Sequence, residues 1–189
     1  DGIEVNYDKL NNEIMITQKI VGTKIVFLNG ELNETKIFYK GEAINQSNKV
    51  EKFENVSLDY SSTDISGLTG CLTFANLVLR KIHVEALGSS CEDTVNFINV
   101  SGDIENVVIK DSYSDGLDVD FSNIQINNIN IINAGNDCAD FSAGKYNLIN
   151  LKLENCGDKA LSIGEKSYVQ VKNIITNKAD IGVASKDGS

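Results

Sequence analysis

The chain has 189 residues, a length that fits one domain, with 41% hydrophobic residues and no apolar run long enough to span a membrane. Its formal net charge of −10 argues against a nucleic-acid backbone as a partner, because like charges repel each other. We therefore expect a single domain over residues 1–189 that neither inserts into a membrane nor binds nucleic acid.

Residues 1–70 are predicted to form the irregular first coils, or cap, of the fold. The segments EIMITQKI, TKIVFLNG, TKIFYKGEA and NVSLDYSS alternate between apolar and polar residues as strands do, and glycines separate them. Their spacing is uneven, which is typical of terminal repeats. The stretch AINQSNKVEKFE fits either a polar loop or a short helix, and the choice stays open.

Residues 71–185 are predicted to form regular coils, because the sequence there repeats with a period of about 22 residues. The clearest copies are DGLDVDFSNIQINNINIINAGN, DCADFSAGKYNLINLKLENCGD and KALSIGEKSYVQVKNIITNKAD, and IGVAS opens another. Each copy holds a short alternating strand and a second apolar segment, which leaves no room for a helix. The pattern indicates an all-β solenoid, the parallel β-helix.

Two sets of asparagines recur at the period of the coils. The sets are Asn133, Asn155 and Asn177, and Asn106, Asn128 and Asn150. In stacked strands, copies of one residue lie about 4.8 Å apart. An amide can then donate a hydrogen bond to the copy on one side and accept one from the copy on the other. We expect both sets to form asparagine ladders.

The cysteines and the chain ends point to an exported protein. Cys71 and Cys91 each precede a strand, one coil apart, so a disulfide between them is geometrically plausible. Cys138 and Cys156 fall at different places in their coils and are predicted to be buried thiols. The chain begins at Asp1 and stops within a coil, so we expect a piece of a longer protein, secreted or at the cell surface.

The candidate chemistry lies in acidic side chains on one face of the coils. Strand alternation is expected to turn Val119 and Phe121 inward. It therefore turns Asp118 and Asp120 outward, and Asp140 is expected to join them beside Asp120 on the next coil. These three aspartates are also the candidate metal ligands, because calcium takes several oxygen ligands.

A second set of acids lies at the turn before each short strand. Asp93, Asp115 and Asp137 recur there at the period of the coils, with Lys159 next in register and Asp158 beside it. Together with the outward acids they define an acidic face, whose candidate catalytic residues are Asp115, Asp118, Asp120, Asp137, Asp140, Asp158 and Lys159.

Carboxylates roughly 5 Å apart raise each other's pKa unless a cation compensates. Three outcomes are open. One carboxyl can stay protonated as a general acid while another is ionised, as glycosidases require. The cluster can bind calcium. The acids can instead cap turns and bond backbone amides, with lysines neutralising them. A lyase would need Lys159 or Lys186 as a base, and neighbouring carboxylates raise the pKa of a lysine and so oppose this role.

The acidic face also resembles a known family. The run Ser114, Asp115, Gly116, then Gly135, Asn136, Asp137, Cys138, then Cys156, Gly157, Asp158, Lys159, and finally Ser162, Ile163, Gly164 is similar to the motifs of right-handed β-helix polygalacturonases. The resemblance implies a right-handed parallel β-helix in which Asp115 and Asp137 belong to the acid and base carboxylates. The sequence differs from the family where Asn136 replaces an acid and Asp158 replaces a histidine.

More broadly, the chain resembles bacterial right-handed β-helix repeat proteins associated with carbohydrates and cell surfaces. This resemblance implies a module that binds or processes carbohydrate through the acidic face. The alternative is a scaffold that docks neighbouring domains of the same chain without catalysis. Tyr113, Tyr146 and Tyr168 can offer stacking surface for sugars, although Tyr146 and Tyr168 are spaced to stack on each other.

Overall fold

The computed structural model describes residues 2–41 and 67–189, so the stretch AINQSNKVEKFE and the strand predicted at NVSLDYSS lie outside the described residues. The described chain is all-β and forms a parallel β-solenoid of about six turns, which confirms the predicted fold class. Its strands are β1 (Ile3–Asp8), β2 (Glu13–Gln18), β3 (Ile25–Asn33), β4 (Lys36–Lys40), β5 (Gly70–Leu87), β6 (Asp93–Ile98), β7 (Ser101–Ser112), β8 (Asp115–Asp120), β9 (Asn123–Ala134), β10 (Ala139–Ser142), β11 (Lys145–Cys156), β12 (Lys159–Gly164), β13 (Tyr168–Asn177) and β14 (Ile181–Ser185).

The strands form two parallel stacks that meet at β5. The short stack runs from the first part of β5 through β6, β8, β10 and β12 to β14, and the long stack runs from the rest of β5 through β7, β9 and β11 to β13. On the other side of β5, β3 and β4 pair with it in parallel, and β2 pairs with β4. An antiparallel hairpin of β1 and β2 begins the fold.

The core lies between the stacks and consists of rows of apolar side chains. Phe27 on β3, Phe74 on β5 and Phe97 on β6 follow one another in register, with ring centroids 5.1 and 4.8 Å apart. Phe74 and Phe97 are fully buried. Burying a side chain of this size contributes on the order of 2 kcal/mol, so the rows that the repeat predicts account for the stacking of the coils.

On four successive coils, the residue after the short strand has a left-handed backbone conformation, and this corrects one prediction. Asn76, Asn99, Phe121 and Ala143 occupy the same position on successive coils, each with φ between 50° and 55°. Phe121 was expected to point inward, but it lies in this turn and is 64% exposed. The inward side chains of β8 are instead Leu117 and Val119, both fully buried.

The first asparagine ladder is confirmed. Asn128 Nδ2 donates to Asn106 Oδ1 at 3.1 Å, and Asn150 Nδ2 donates to Asn128 Oδ1 at 3.1 Å. The ladder continues one coil further than predicted, because Asn173 Nδ2 donates to Asn150 Oδ1 at 2.9 Å.

The second ladder is confirmed only in part. Asn155 Nδ2 donates to Asn133 Oδ1 at 2.8 Å, but the residue in register on the next coil is Lys178, so the prediction of Asn177 is wrong. The turn between β12 and β13 contains one more residue than the turn between β10 and β11, which shifts β13 by one position. Asn133, Asn155 and Lys178 all have positive φ, a conformation that asparagine tolerates better than most residues.

Two disulfides close the coils, and one of them was not predicted. Cys71 and Cys91 are bonded with their Cα atoms 5.4 Å apart, which confirms that pairing. Cys138 and Cys156 are also bonded, with a Cα separation of 5.3 Å, so their prediction as free thiols is wrong. The end of each coil returns to lie beside its own beginning, and this brings the lateral cysteines together. Two disulfides are typical of a protein that folds in an oxidising environment.

Candidate functional site

A row of polar side chains runs across the outer side of the short stack, one on each coil. The polar row consists of Asn96 on β6, Asp118 on β8, Asp140 on β10 and Ser162 on β12, which the strand pairing places in register. Because their strand neighbours point into the core, these side chains point outward. Asp140 therefore lies beside Asp118, and the prediction that it lies beside Asp120 is wrong.

The polar row is sheltered and has unused hydrogen-bonding capacity. Asn96 is 1% exposed and Ser162 is 0% exposed, while both aspartates are half-buried. Asn96 Nδ2 donates to Asp118 Oδ2 at 2.6 Å. Within the described residues, however, Asn96 Oδ1, Asp140 Oδ1 and Ser162 Oγ are buried without a hydrogen-bond partner. An unpaired buried polar atom costs about 1–3 kcal/mol, so further hydrogen-bonding groups at this row would stabilise the fold.

The pKa values of Asp118 and Asp120, at the centre of this face, are both raised. Burial raises the pKa of Asp118 far above its usual range, and the charges of Asp93 and Asp120 raise it further. Burial also raises the pKa of Asp120, although its hydrogen bond with Asp118 opposes that shift. Asp118 is therefore the member of the pair that holds the proton at neutral pH, and it is placed to act as an acid.

The carboxylates at the turns cap the backbone of the next coil. Asp115 Oδ1 accepts from the backbone N–H of Asp137 at 2.9 Å and from Asn136 Nδ2 at 2.7 Å. Asp137 Oδ1 in turn accepts from the backbone N–H of Lys159 at 2.9 Å. This is the turn-capping outcome that the sequence left open, and it holds for Asp115 and Asp137.

The acids at the turns before the short strands differ from Asp118 in their pKa shifts and in the groups that offset their charge. Burial raises the pKa of Asp115 to about 6, against the two hydrogen bonds that it accepts. Burial likewise raises the pKa of Asp93 to about 7, with the charge of Asp115 adding to the shift. Asp137 is 3% exposed and pairs with Lys159 Nζ at 3.3 Å. The row of turn acids thus ends at a lysine that neutralises its last member.

Lys159 is bound to two carboxylates and does not fit the role of a base. Its ammonium group donates to Asp158 and to Asp137. The hydrogen bond with Asp158 is the largest of the effects that raise the pKa of Lys159 above its usual value. A lysine base needs a lowered pKa, so the structure opposes the lyase mechanism for this residue.

The structure brings the predicted residues together on one face, but it does not arrange them as a metal centre. Within residues 2–41 and 67–189, no group of three or more His, Cys, Asp or Glu side chains is placed to hold a metal ion.

Two members of the polar row, Asn96 and Ser162, were not among the predicted site residues. The signal that could have identified them is the register, because each lies one coil away from a predicted aspartate. Two tyrosines also differ from expectation. Tyr146 is buried and donates from its hydroxyl to the carbonyl of Val119 at 3.0 Å, whereas Tyr168 is 60% exposed, so the two do not stack on each other.

The geometry defines a class of protein, the parallel β-helix, with a sheltered row of polar and acidic side chains on its short stack. Comparison of the chain with protein-family models, with curated proteins and with solved structures found no match. No helix within the described ranges is long and apolar enough to cross a membrane.

Proposed function

We propose that this chain is an exported or cell-surface β-helix module that binds carbohydrate through its acidic face. The observation that carries the proposal is the polar row, in which Asn96, Asp140 and Ser162 each keep a buried oxygen without a partner among the described residues. Sugar hydroxyls are hydrogen-bond donors, and carboxylate and amide oxygens are strong acceptors. A glycan lying along the axis of the solenoid would reach the half-buried aspartates Asp118 and Asp140 on adjacent coils, whereas Asn96 and Ser162 are buried too deeply to touch it directly.

The same row supports processing as well as binding. Asp118 holds a proton at neutral pH, and Asp140 lies next to it on the adjacent coil. Strand spacing places their backbones about 4.8 Å apart, so side chains that run parallel would bring their carboxyl groups near the roughly 5 Å separation of retaining glycosidases. In this mechanism Asp118 would protonate the leaving oxygen, and Asp140 would serve as the nucleophile.

The test uses a panel of polysaccharides, scored both for binding by affinity electrophoresis and for release of reducing ends. Asp118→Asn keeps the size and the hydrogen-bonding oxygen of the side chain but cannot transfer a proton. We expect it to abolish cleavage and to leave binding within a few-fold, while Asp140→Asn weakens both. Glu34→Gln, at an exposed position in the turn between β3 and β4, is the matched control. Equal binding by the wild type and by the double variant Asp118→Asn/Asp140→Asn would refute the proposal.

A second candidate, the non-catalytic scaffold, is favoured by a different observation. In the last coil, Ile175, Ile181 and Val183 are 63%, 43% and 51% exposed. Val183 continues the core row of Leu161, so it presents apolar surface along the axis of the solenoid. A neighbouring domain could cover that surface. The scaffold predicts that no polysaccharide binds, and that Val183→Asp weakens association with a flanking domain in a longer chain.

A further inference from the structure

The long stack carries a second groove, on a different sheet from the acidic face. Its volume is about 430 Å³. The side chains that matter for its chemistry are Asn123, Gln125, Lys145, Asn147, Tyr168 and Gln170, and we call it the amide groove. The register places Asn123, Lys145 and Tyr168 in one line along the axis and Gln125, Asn147 and Gln170 in a second, parallel line.

The amides in this groove are oriented by a chain of hydrogen bonds that begins at a carboxylate. Asn127 Nδ2 donates to Glu105 Oε2 at 2.7 Å, and Gln125 Nε2 donates to Asn127 Oδ1 at 2.9 Å. Asn147 Nδ2 then donates to Gln125 Oε1 at 2.9 Å. Glu105 can only accept, so it fixes the direction of every amide after it. The chain uses Asn147 Nδ2 as a donor and leaves Oδ1 of this groove-lining residue as an acceptor.

An exposed aromatic ring lies at one end of the groove, and a lysine lies next to it on the adjacent coil. Tyr168 is 60% exposed, and its hydroxyl accepts from Gln170 Nε2 at 3.0 Å, which holds the ring in place. Lys145 pairs with Tyr168 in the strand register and forms no ion pair within the described residues. Lys145 is the one charged residue among the described residues that line the groove. Its positive charge stands out in a chain whose net charge is −10.

From these three features we infer that the amide groove binds an oligosaccharide that contains uronic acid. The face of the Tyr168 ring suits the apolar face of a pyranose, while oriented amides can both donate to and accept from neighbouring hydroxyls. Lys145 supplies the complementary charge for the sugar carboxylate. The inference does not depend on the acidic face, because the two sites lie on different stacks and share no residue.

The experiment measures binding of hyaluronan and alginate hexasaccharides, both acidic, and of neutral cellohexaose to the whole chain by calorimetry. Side-chain amide shifts of Asn147 and Gln170 in ¹H–¹⁵N spectra locate the binding. We expect at least one acidic probe to bind more than tenfold tighter than cellohexaose. Tyr168→Ala should weaken that binding at least tenfold, and Lys145→Gln should bring the acidic probe close to the neutral one.

Two control variants establish that binding occurs in the amide groove and depends on Lys145 itself. Lys172→Gln removes an exposed lysine of β13 that does not line the groove, and it should leave binding unchanged. Asp118→Asn/Asp140→Asn should also leave it unchanged, so failure of the amide groove and failure of the acidic face give different results. The inference is overturned if neither acidic probe binds at millimolar concentration, if cellohexaose binds equally well, or if Lys145→Gln and Lys172→Gln have the same effect.

Discussion

Replacing Asp115 by asparagine should stabilise the protein at neutral and alkaline pH. Both hydrogen bonds that Asp115 accepts, from the backbone of Asp137 and from Asn136, end on the same oxygen, Oδ1. An asparagine can keep that oxygen as a carbonyl and so preserve both bonds. What the substitution removes is the negative charge, which this site holds at a cost.

The magnitude follows from the pKa of Asp115, which burial raises from 3.8 to about 6. Each pKa unit corresponds to 1.36 kcal/mol, so ionised Asp115 lowers the free energy of unfolding by about 2–3 kcal/mol. The folded state binds more protons than the unfolded state between these two values. The stability that protonated Asp115 provides is therefore complete below about pH 4 and is lost as the pH rises through about 6.

The assay is urea and thermal unfolding of the wild type and of Asp115→Asn at about pH 4 and about pH 8. We expect little difference at the lower pH and a gain of about 2–3 kcal/mol at the higher one, or roughly 5–10 °C in melting temperature. Asp180→Asn, which removes an exposed charge, is the control. A loss of stability in Asp115→Asn at both pH values would show that the carboxylate is needed structurally and would refute the reasoning.

Three further predictions concern the framework. Cys138→Ser/Cys156→Ser opens a loop with a sequence separation of 18 and should lower the free energy of unfolding by about 3 kcal/mol, measured by urea unfolding. Asn128→Ala removes two hydrogen bonds of a ladder and should cost about 1–3 kcal/mol in the same assay. Gly102→Ala would place a Cβ 2.0 Å from the carbonyl oxygen of Leu79 at a φ of 110°, so its circular dichroism spectrum should show loss of the folded state at room temperature. Unchanged unfolding in any of these variants would contradict the corresponding contact.

The solenoid could be predicted from the sequence because residues that stack on their own copies recur at the period of the coils. Asn106, Asn128 and Asn150 identify the coil length directly, and the hydrogen bonds between them follow from strand spacing alone. The same arithmetic fails where a turn changes length. One extra residue before β13 places Lys178 instead of Asn177 in register with Asn155, so the second ladder stops there. A fixed period cannot reveal such an insertion.

The disulfide between Cys138 and Cys156 was missed for a related reason. A period describes which residues stack along the axis, but it does not describe which residues meet across a bend within one coil.

The burial of the polar row also could not be predicted from the sequence. Alternation correctly sends Asp118 and Asp140 outward, but outward is not the same as exposed, and Ser162 in the same row is fully buried.

The two stacks differ in whether the residues on their outer side can satisfy their own copies. An asparagine amide carries both a donor and an acceptor, so a ladder such as Asn106 to Asn128 to Asn150 is complete in itself. An ionised carboxylate can only accept, so neighbouring copies repel each other and must share protons or find another partner. Asp118 and Asp140 are neighbouring acids of this kind. Stacking further coils with an acid at this position would increase the repulsion. Holding ionised carboxylates in the polar row therefore lowers the stability of the fold, because burial and neighbouring acids both oppose their charge.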